Sequence, residues 1–184
     1  MSLGYIIPRL SPDAEQGKLM PETTAYPRNA DLGAALGRVP SGLFILTVRD
    51  GGRATGILAS WVQQAGFDPP MVTLALHKER FVGDWVRSSG RLVLNQVAIG
   101  NKTLLRHFGK GFQPDEPAFQ GLKIEQEHDA GPVLAEALAY LIVEPAGEVA
   151  GGDHFVILGR VVEGGLIDPK GQPLVHIRQN GLHY

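Results

Sequence analysis

Thr55-Gly56-Ile57-Leu58-Ala59-Ser60-Trp61-Val62-Gln63-Gln64-Ala65-Gly66-Phe67-Asp68-Pro69-Pro70-Met71-Val72-Thr73-Leu74-Ala75-Leu76-His77-Lys78-Glu79-Arg80 is the stretch that decides the fold. Thr55 to Val62 has the composition of a half-buried strand, and Gln63 to Phe67 reads as a polar, glycine-containing loop. Asp68-Pro69-Pro70 makes a rigid corner, and Met71 to Leu76 is an apolar strand running into His77-Lys78-Glu79-Arg80. The two strands are expected to be sheet neighbours. That arrangement sets the Ser60 hydroxyl and the Gln63 and Gln64 amides near the Lys78 and Arg80 charges. Cations and N–H donors that converge on one spot make an anion site. With an apolar strand beside it, such a site suits a flat ring carrying a phosphate tail.

Working outward, Asp50-Gly51-Gly52 reads as a hairpin turn, because glycine supplies the positive φ that a tight turn requires. It joins the Thr55 strand to an earlier one over Gly42 to Val48. A helix capped by Asn29 or Asp31 precedes them and stops at Pro40. After Arg80, a helix to Ser89 places Phe81, Trp85 and Val86 on one face. Leu92 to Val97 reads as a strand, and Asn101 caps a helix through Phe108. Leu122 to Glu127 and Ala137 to Val149 alternate apolar and polar residues, and Asp153 to Val162 is strongly apolar. Gly164-Gly165 is expected to turn the chain, and Leu174 to Tyr184 to add an edge strand. Seven to nine strands with two or three short helices favour an antiparallel barrel over alternating strand–helix units.

Pro8, Pro12, Pro21 and Pro27 break any helix in residues 1–27, which read as an N-terminal arm. Met1-Ser2-Leu3 has the form of an expression remnant. The chain has 184 residues and a formal net charge of −2, which fits one domain and gives no basic stripe for nucleic acid or an anionic membrane. There is no cysteine, so disulfides and thiolate chemistry are excluded. No apolar run reaches a membrane span, and no basic-then-apolar leader pattern opens the sequence. A soluble cytoplasmic protein is the expectation.

Among chemical motifs, the six histidines show no paired metal-ligand spacing, so no metal site is expected. Ser60 lacks the flanking glycines of a hydrolase elbow. No glycine-rich phosphate loop is present. Any nucleotide must be held by strand ends and side chains. Gly151-Gly152-Asp153-His154-Phe155 opens the late strand and sets a titratable ring at its start.

Together these pieces resemble the flavin reductase-like family with an FMN-binding split barrel. The matching segments are Pro40 to Thr47, Thr55 to Ser60, Phe67-Asp68-Pro69-Pro70, Leu94-Asn95, and Gly152-Asp153-His154-Phe155 with Gly159-Arg160-Val161. They span roughly Leu32 to Gly165, in the family's order and spacing. Within the family, the Ala59-Ser60-Trp61-Val62 and Gly152-Asp153-His154 stretches are similar to the C-terminal flavin reductase module of cyanobacterial diflavin (flavodiiron) proteins.

The resemblance implies a mainly β fold, an FMN-binding split β-barrel with antiparallel, Greek-key-like strands and a few peripheral helices, over residues 28–184. It implies FMN as cofactor, with FAD the second choice, and NADH or NADPH as hydride donor. Leu58, Ala59, Ser60, Trp61, Gln63, Gln64 and Ala65 would lie along the flavin, with His77 and Phe81 nearby. Ser60, Lys78 and Arg80 would hold the phosphate. His154 would stand at the ring face where nicotinamide stacks, as the catalytic position. Family members are usually homodimers, and a protein electron acceptor is a possible partner class; nucleic acid and membrane are not. Leu58 stands where many members have Thr, and Gly66 where many have Ser, which removes two hydroxyls from the expected flavin shell. The rival reading is a flavin-binding electron carrier or sensor with little NAD(P)H activity.

Overall fold

The computed structural model describes residues 29–183. The N-terminal arm expected over residues 1–27 lies outside them. The first helix, α1 (Ala30–Gly37), begins where the Asn29 side chain accepts the Leu32 N–H at 2.7 Å, satisfying one of the donors a helix start leaves open. A two-residue strand β1 (Ser41–Gly42) leads into β2 (Phe44–Asp50). Gly51 and Gly52, both at positive φ, turn the chain into β3 (Arg53–Ala59), pairing Asp50 with Arg53. The hairpin is the expected one.

Next come β4 (Val62–Phe67), β5 (Pro70–His77), α2 (Val82–Ser89) and β6 (Leu92–Gln96). Helix α3 (Lys102–Gly109) follows, capped by Asn101 on the Leu104 N–H at 3.0 Å. Two short strands, β7 (Ile124–Gln126) and β8 (Val133–Leu134), precede the long hairpin of β9 (Ala139–Gly151) and β10 (His154–Leu166). A final strand, β11 (Val175–His176), pairs with β1.

The main sheet has seven strands in the order β3-β2-β6-β9-β10-β5-β4, and its pairs are antiparallel. This is the split β-barrel expected from the sequence. Its two edge strands, β3 and β4, are consecutive in the chain and joined through Ser60-Trp61. The Trp61 carbonyl accepts the Ala75 N–H at 3.0 Å, which ties this link to β5.

Period-two alternation explains why β2 is a nearly unbroken apolar run. Phe44, Leu46 and Val48 face one core with Ile57, Leu74, Val86 and Phe155. Ile45 faces a second core with Leu104, Phe108 and Leu134. Both faces are covered, so both must be apolar. Buried Asn95 ties the layers together: its amide donates to the Ile45 carbonyl at 3.2 Å, and its Oδ1 accepts the Leu134 N–H at 2.8 Å.

Three local expectations are corrected. Gln63 to Phe67 is not a loop but edge strand β4, paired with β5 on one side only; its open edge and solvated face accept the polar residues that suggested a loop. The Thr55 and Met71 strands are not hydrogen-bonded neighbours but lie near opposite ends of the sheet order. Gly164 and Gly165 do not turn the chain. They pair with Leu141 and Tyr140 inside β10, where a Cβ would come within 2.8 Å of the Tyr140 carbonyl and 2.9 Å of its ring respectively. Close approach, not backbone reversal, requires glycine there. The expected tail strand shortens to Val175–His176. No helix among the described residues is long and apolar enough to cross a membrane.

Candidate functional site

A cavity of about 650 Å³ opens where the end of β3, the end of β5 and the end of α3 meet. Ile57, Leu58 and Ala59 form its floor with Leu43 and Phe108. Phe108 reaches it because Gly56 carries no side chain: a Cβ there would come within 2.7 Å of the Phe108 ring. Helix α3 therefore packs close to β3 and delivers the turn Gly109-Lys110-Gly111 to the cavity wall. Since β3 hydrogen-bonds only to β2, part of its backbone has no strand partner and is available to a ligand.

At one end stands an aromatic stack. The Trp61 ring lies 4.6 Å from the His154 ring, which is 5.0 Å from the His77 ring in an edge-on arrangement. Register explains the histidine pair, since His154 and His77 are cross-strand partners on β10 and β5. His154 is 6% exposed, and its Nδ1 lies 2.7 Å from Asp153 Oδ1. An ionised carboxylate can only accept, so this contact assigns the imidazole proton to Nδ1. The hydrogen bond from His154 holds the Asp153 carboxyl below the usual aspartate range, against a smaller opposing effect of burial.

The C-terminal segment closes this end. The Arg178 guanidinium sits 4.8 Å from the Trp61 ring centroid, a cation–π contact. The Arg178 N–H donates to the Gly37 carbonyl at 2.9 Å and the Gly181 N–H to the Gly33 carbonyl at 2.8 Å, docking the tail on α1. His176, held opposite Ser41 by the β1–β11 pair, enters the cavity lining.

The other end is polar and open. Arg80 and Lys110 line it, and both are exposed. Glu79, within 4.0 Å of His77 Nδ1, is the one carboxylate on the lining.

Of the residues expected from sequence, Leu58, Ala59, Ser60, Trp61, His77 and Arg80 line this cavity together. His154 lies one ring behind the lining, against Trp61 and His77. Gln63 and Gln64 line a separate cleft of about 300 Å³ with Phe44 and Val62, and Ala65 is exposed on β4. Lys78 is exposed and outside the lining; Phe81 packs edge-on against Trp85, 5.4 Å away. Sequence reasoning missed Leu43, Phe108, Lys110 and His176. Lys110 had a visible signal, a cation between two glycines just past a capped helix. His176 had none, because a two-residue strand leaves no period to read.

The family model described as "Flavin reductase like domain" matches residues 36–181. The chain belongs to this family. It is 37% identical over 157 residues to Diflavin flavoprotein A 1 of a Synechocystis species, a match covering 85% of this chain and 27% of that protein. The chain thus spans about a quarter of that relative's length. Among solved structures, an NADH:FAD oxidoreductase of Streptomyces globisporus superposes with a TM-score of 0.72 at 21% identity, covering 78% of this chain and 85% of that one. A nitrilotriacetate monooxygenase component B homolog from Mycobacterium thermoresistibile superposes with a TM-score of 0.70 at 25% identity, covering 79% and 80%.

Proposed function

We propose that this chain binds FMN in the 650 Å³ cavity and acts as an NAD(P)H-dependent flavin reductase, passing electrons to a further acceptor. The observation that carries this reading is the polarity of the cavity: a stack of three rings at one end, fixed cations at the other, and an apolar floor between. A flat ring with an anionic tail matches each part.

The chemistry of the lining fits such a group. Leu58 and Ala59 offer apolar surface and edge-strand backbone to the ring system, while the Ser60 hydroxyl and Arg80 guanidinium offer donors to a phosphate. A bound flavin would supply hydride acceptance from NADH or NADPH and onward electron delivery. The residues themselves do the positioning. Trp61, fixed between His154 and Arg178, sets a rigid aromatic wall. His154, with its Nδ1 proton directed to Asp153, turns Nε2 away from that carboxylate as the acceptor-capable nitrogen. Holding two rings in register supplies much of the rate in such a transfer, and no side-chain nucleophile is needed.

In this reading residues 28–184 form the flavin-binding barrel, the arm is an addition to it, and the cytoplasm, where NAD(P)H is supplied, is the working compartment. Two copies would associate as a homodimer; exposed Val149, Val162 and Leu166 on the β9–β10 hairpin support such a contact. A second reading, an electron carrier with little NAD(P)H activity, is favoured by the small share that this region occupies in the diflavin relative. An absorbance spectrum of the protein with FMN, followed by anaerobic titration with NADH and NADPH, decides between them. Rapid bleaching of bound flavin supports the reductase; a yellow protein reduced only slowly supports the carrier; no flavin binding defeats both.

A further inference from the structure

We infer that Lys110 and Arg80 form a two-cation clasp for the terminal phosphate of the flavin mononucleotide, with Lys110 in the role expected of Lys78. The inference rests on the flavin reading above. Arg80 and Lys110 both line the cavity, whereas Lys78 does not. His77 to Arg80 is a tight turn closed by the Arg80 N–H on the His77 carbonyl at 3.0 Å, and the Lys78 N–H is spent on the Asp153 carbonyl, also at 3.0 Å. Strand alternation therefore does not align Lys78 with Arg80.

Lys110 arrives from the other wall. Its turn abuts the guanidinium, since a Cβ at Gly111 would lie 3.7 Å from Arg80 Nη1. Gly109 and Gly111 flank the lysine with no side chain to shield it, and Gly111 has the positive φ of 73° that glycine accommodates best. Partnering separates these two cations from most of the arginines on the barrel. Arg49, Arg87, Arg91 and Arg160 each hold a carboxylate at 2.6–2.9 Å. Among the described residues, Arg80 and Lys110 have no such ion pair. The Lys110 ammonium rests 4.7 Å from the Phe112 ring, a weak contact at an exposed site. Lys102 and Arg106 on α3 also have no carboxylate partner, but they do not line the cavity. Glu79 shares the lining, yet its side chain is 89% exposed, so water screens its charge.

A phosphate monoester carries a charge of roughly −1.5 to −2 near pH 7, more than one guanidinium balances. An arginine fork can take two phosphate oxygens, and a lysine on the facing wall can meet a third as a point charge. The clasp would thus select a phosphorylated flavin over the same ring system without phosphate.

Fluorescence titration of the purified chain with FMN and with riboflavin tests this. The wild type should bind FMN more tightly than riboflavin. Lys110→Ala should raise the FMN Kd about tenfold and leave the riboflavin Kd within about twofold, since only the charged contact is lost. Lys110→Arg should retain most of the preference. Lys102→Ala removes the same charge from the far end of α3 and should leave the preference intact. An unchanged FMN-to-riboflavin ratio in Lys110→Ala overturns the clasp alone, as does an equal loss of preference in Lys102→Ala. Failure of the wild type to bind either flavin overturns the flavin reading and the clasp with it.

Discussion

The two ends of the cavity are built on opposite principles. At the aromatic end, each group is fixed by another: Arg178 on Trp61, Trp61 on His154, His154 against His77 and Asp153. At the cationic end, Arg80 and Lys110 stand exposed on turns. Where a reaction needs two rings held in register, preorganisation counts and neighbours must lock each other. Where the task is to catch an anion, a charge free of a competing carboxylate is more useful than a fixed one. The difference predicts that damage at the first end harms turnover and damage at the second harms affinity.

Trp61→Ala offers the most severe test. It removes the ring that meets both His154 and Arg178, so NAD(P)H-driven flavin reduction should fall by about 100-fold, the scale on which small misplacements act. Steady-state kinetics should place the loss mainly in kcat. A variant with wild-type kcat and raised flavin KM would erase the distinction between the ends.

Arg80→Ala should do the reverse. Loss of a charge-assisted contact should raise the FMN Kd by about 10- to 100-fold, with kcat at saturating flavin little altered. Because Arg80 has no ion pair among the described residues, the urea midpoint should not move. A large stability loss would mean that the guanidinium has a structural task.

Legibility in the sequence followed the same division. The barrel was readable because its period is two and its turns are punctuated: Asp50-Gly51-Gly52 is a hairpin in both readings. Local rules failed where long-range geometry decides. Gln63 to Phe67 has loop composition because an edge strand keeps one side in water, and Gly164-Gly165 has turn composition because Tyr140 and Leu141 crowd it from the neighbouring strand. In the site, Leu58 to Trp61, His77 and Arg80 were visible as one segment. Lys110 and His176 were not, because their proximity depends on how α3 and the tail fold back.

Gly37→Ala asks whether the aromatic end depends on the docked tail. A Cβ at residue 37 would lie 2.5 Å from the Arg178 carbonyl oxygen and 3.1 Å from the Asn180 nitrogen, both backbone atoms that cannot swing away. The expected cost is about 1–3 kcal/mol, the range for overpacking, read as a lower urea midpoint. Tail displacement should also free Arg178 from Trp61 and alter the tryptophan emission. An unchanged spectrum with the full loss of stability would show that the tail braces α1 but not the site.

The smallest effect belongs to Asp153, and its sign follows from linkage. The hydrogen bond from His154 lowers the Asp153 pKa in the folded chain, so the ionised form stabilises the fold above the ordinary aspartate range. That contribution is lost as pH falls through the lowered folded value, when the carboxylate takes up a proton. The Asp153 side chain is 75% exposed, so solvent screens most of the interaction and the stability change should be slight. Asp153→Asn keeps an acceptor for the His154 Nδ1 proton but cannot titrate. Its urea midpoint should therefore lie slightly below that of the wild type at pH 7 and converge with it in acid. A gap that widens on acidification would contradict the assigned direction. If instead the variant keeps its stability but shifts the pH profile of flavin reduction, the carboxylate acts on the imidazole rather than on the fold, and the aromatic end is locked for chemistry as well as for packing.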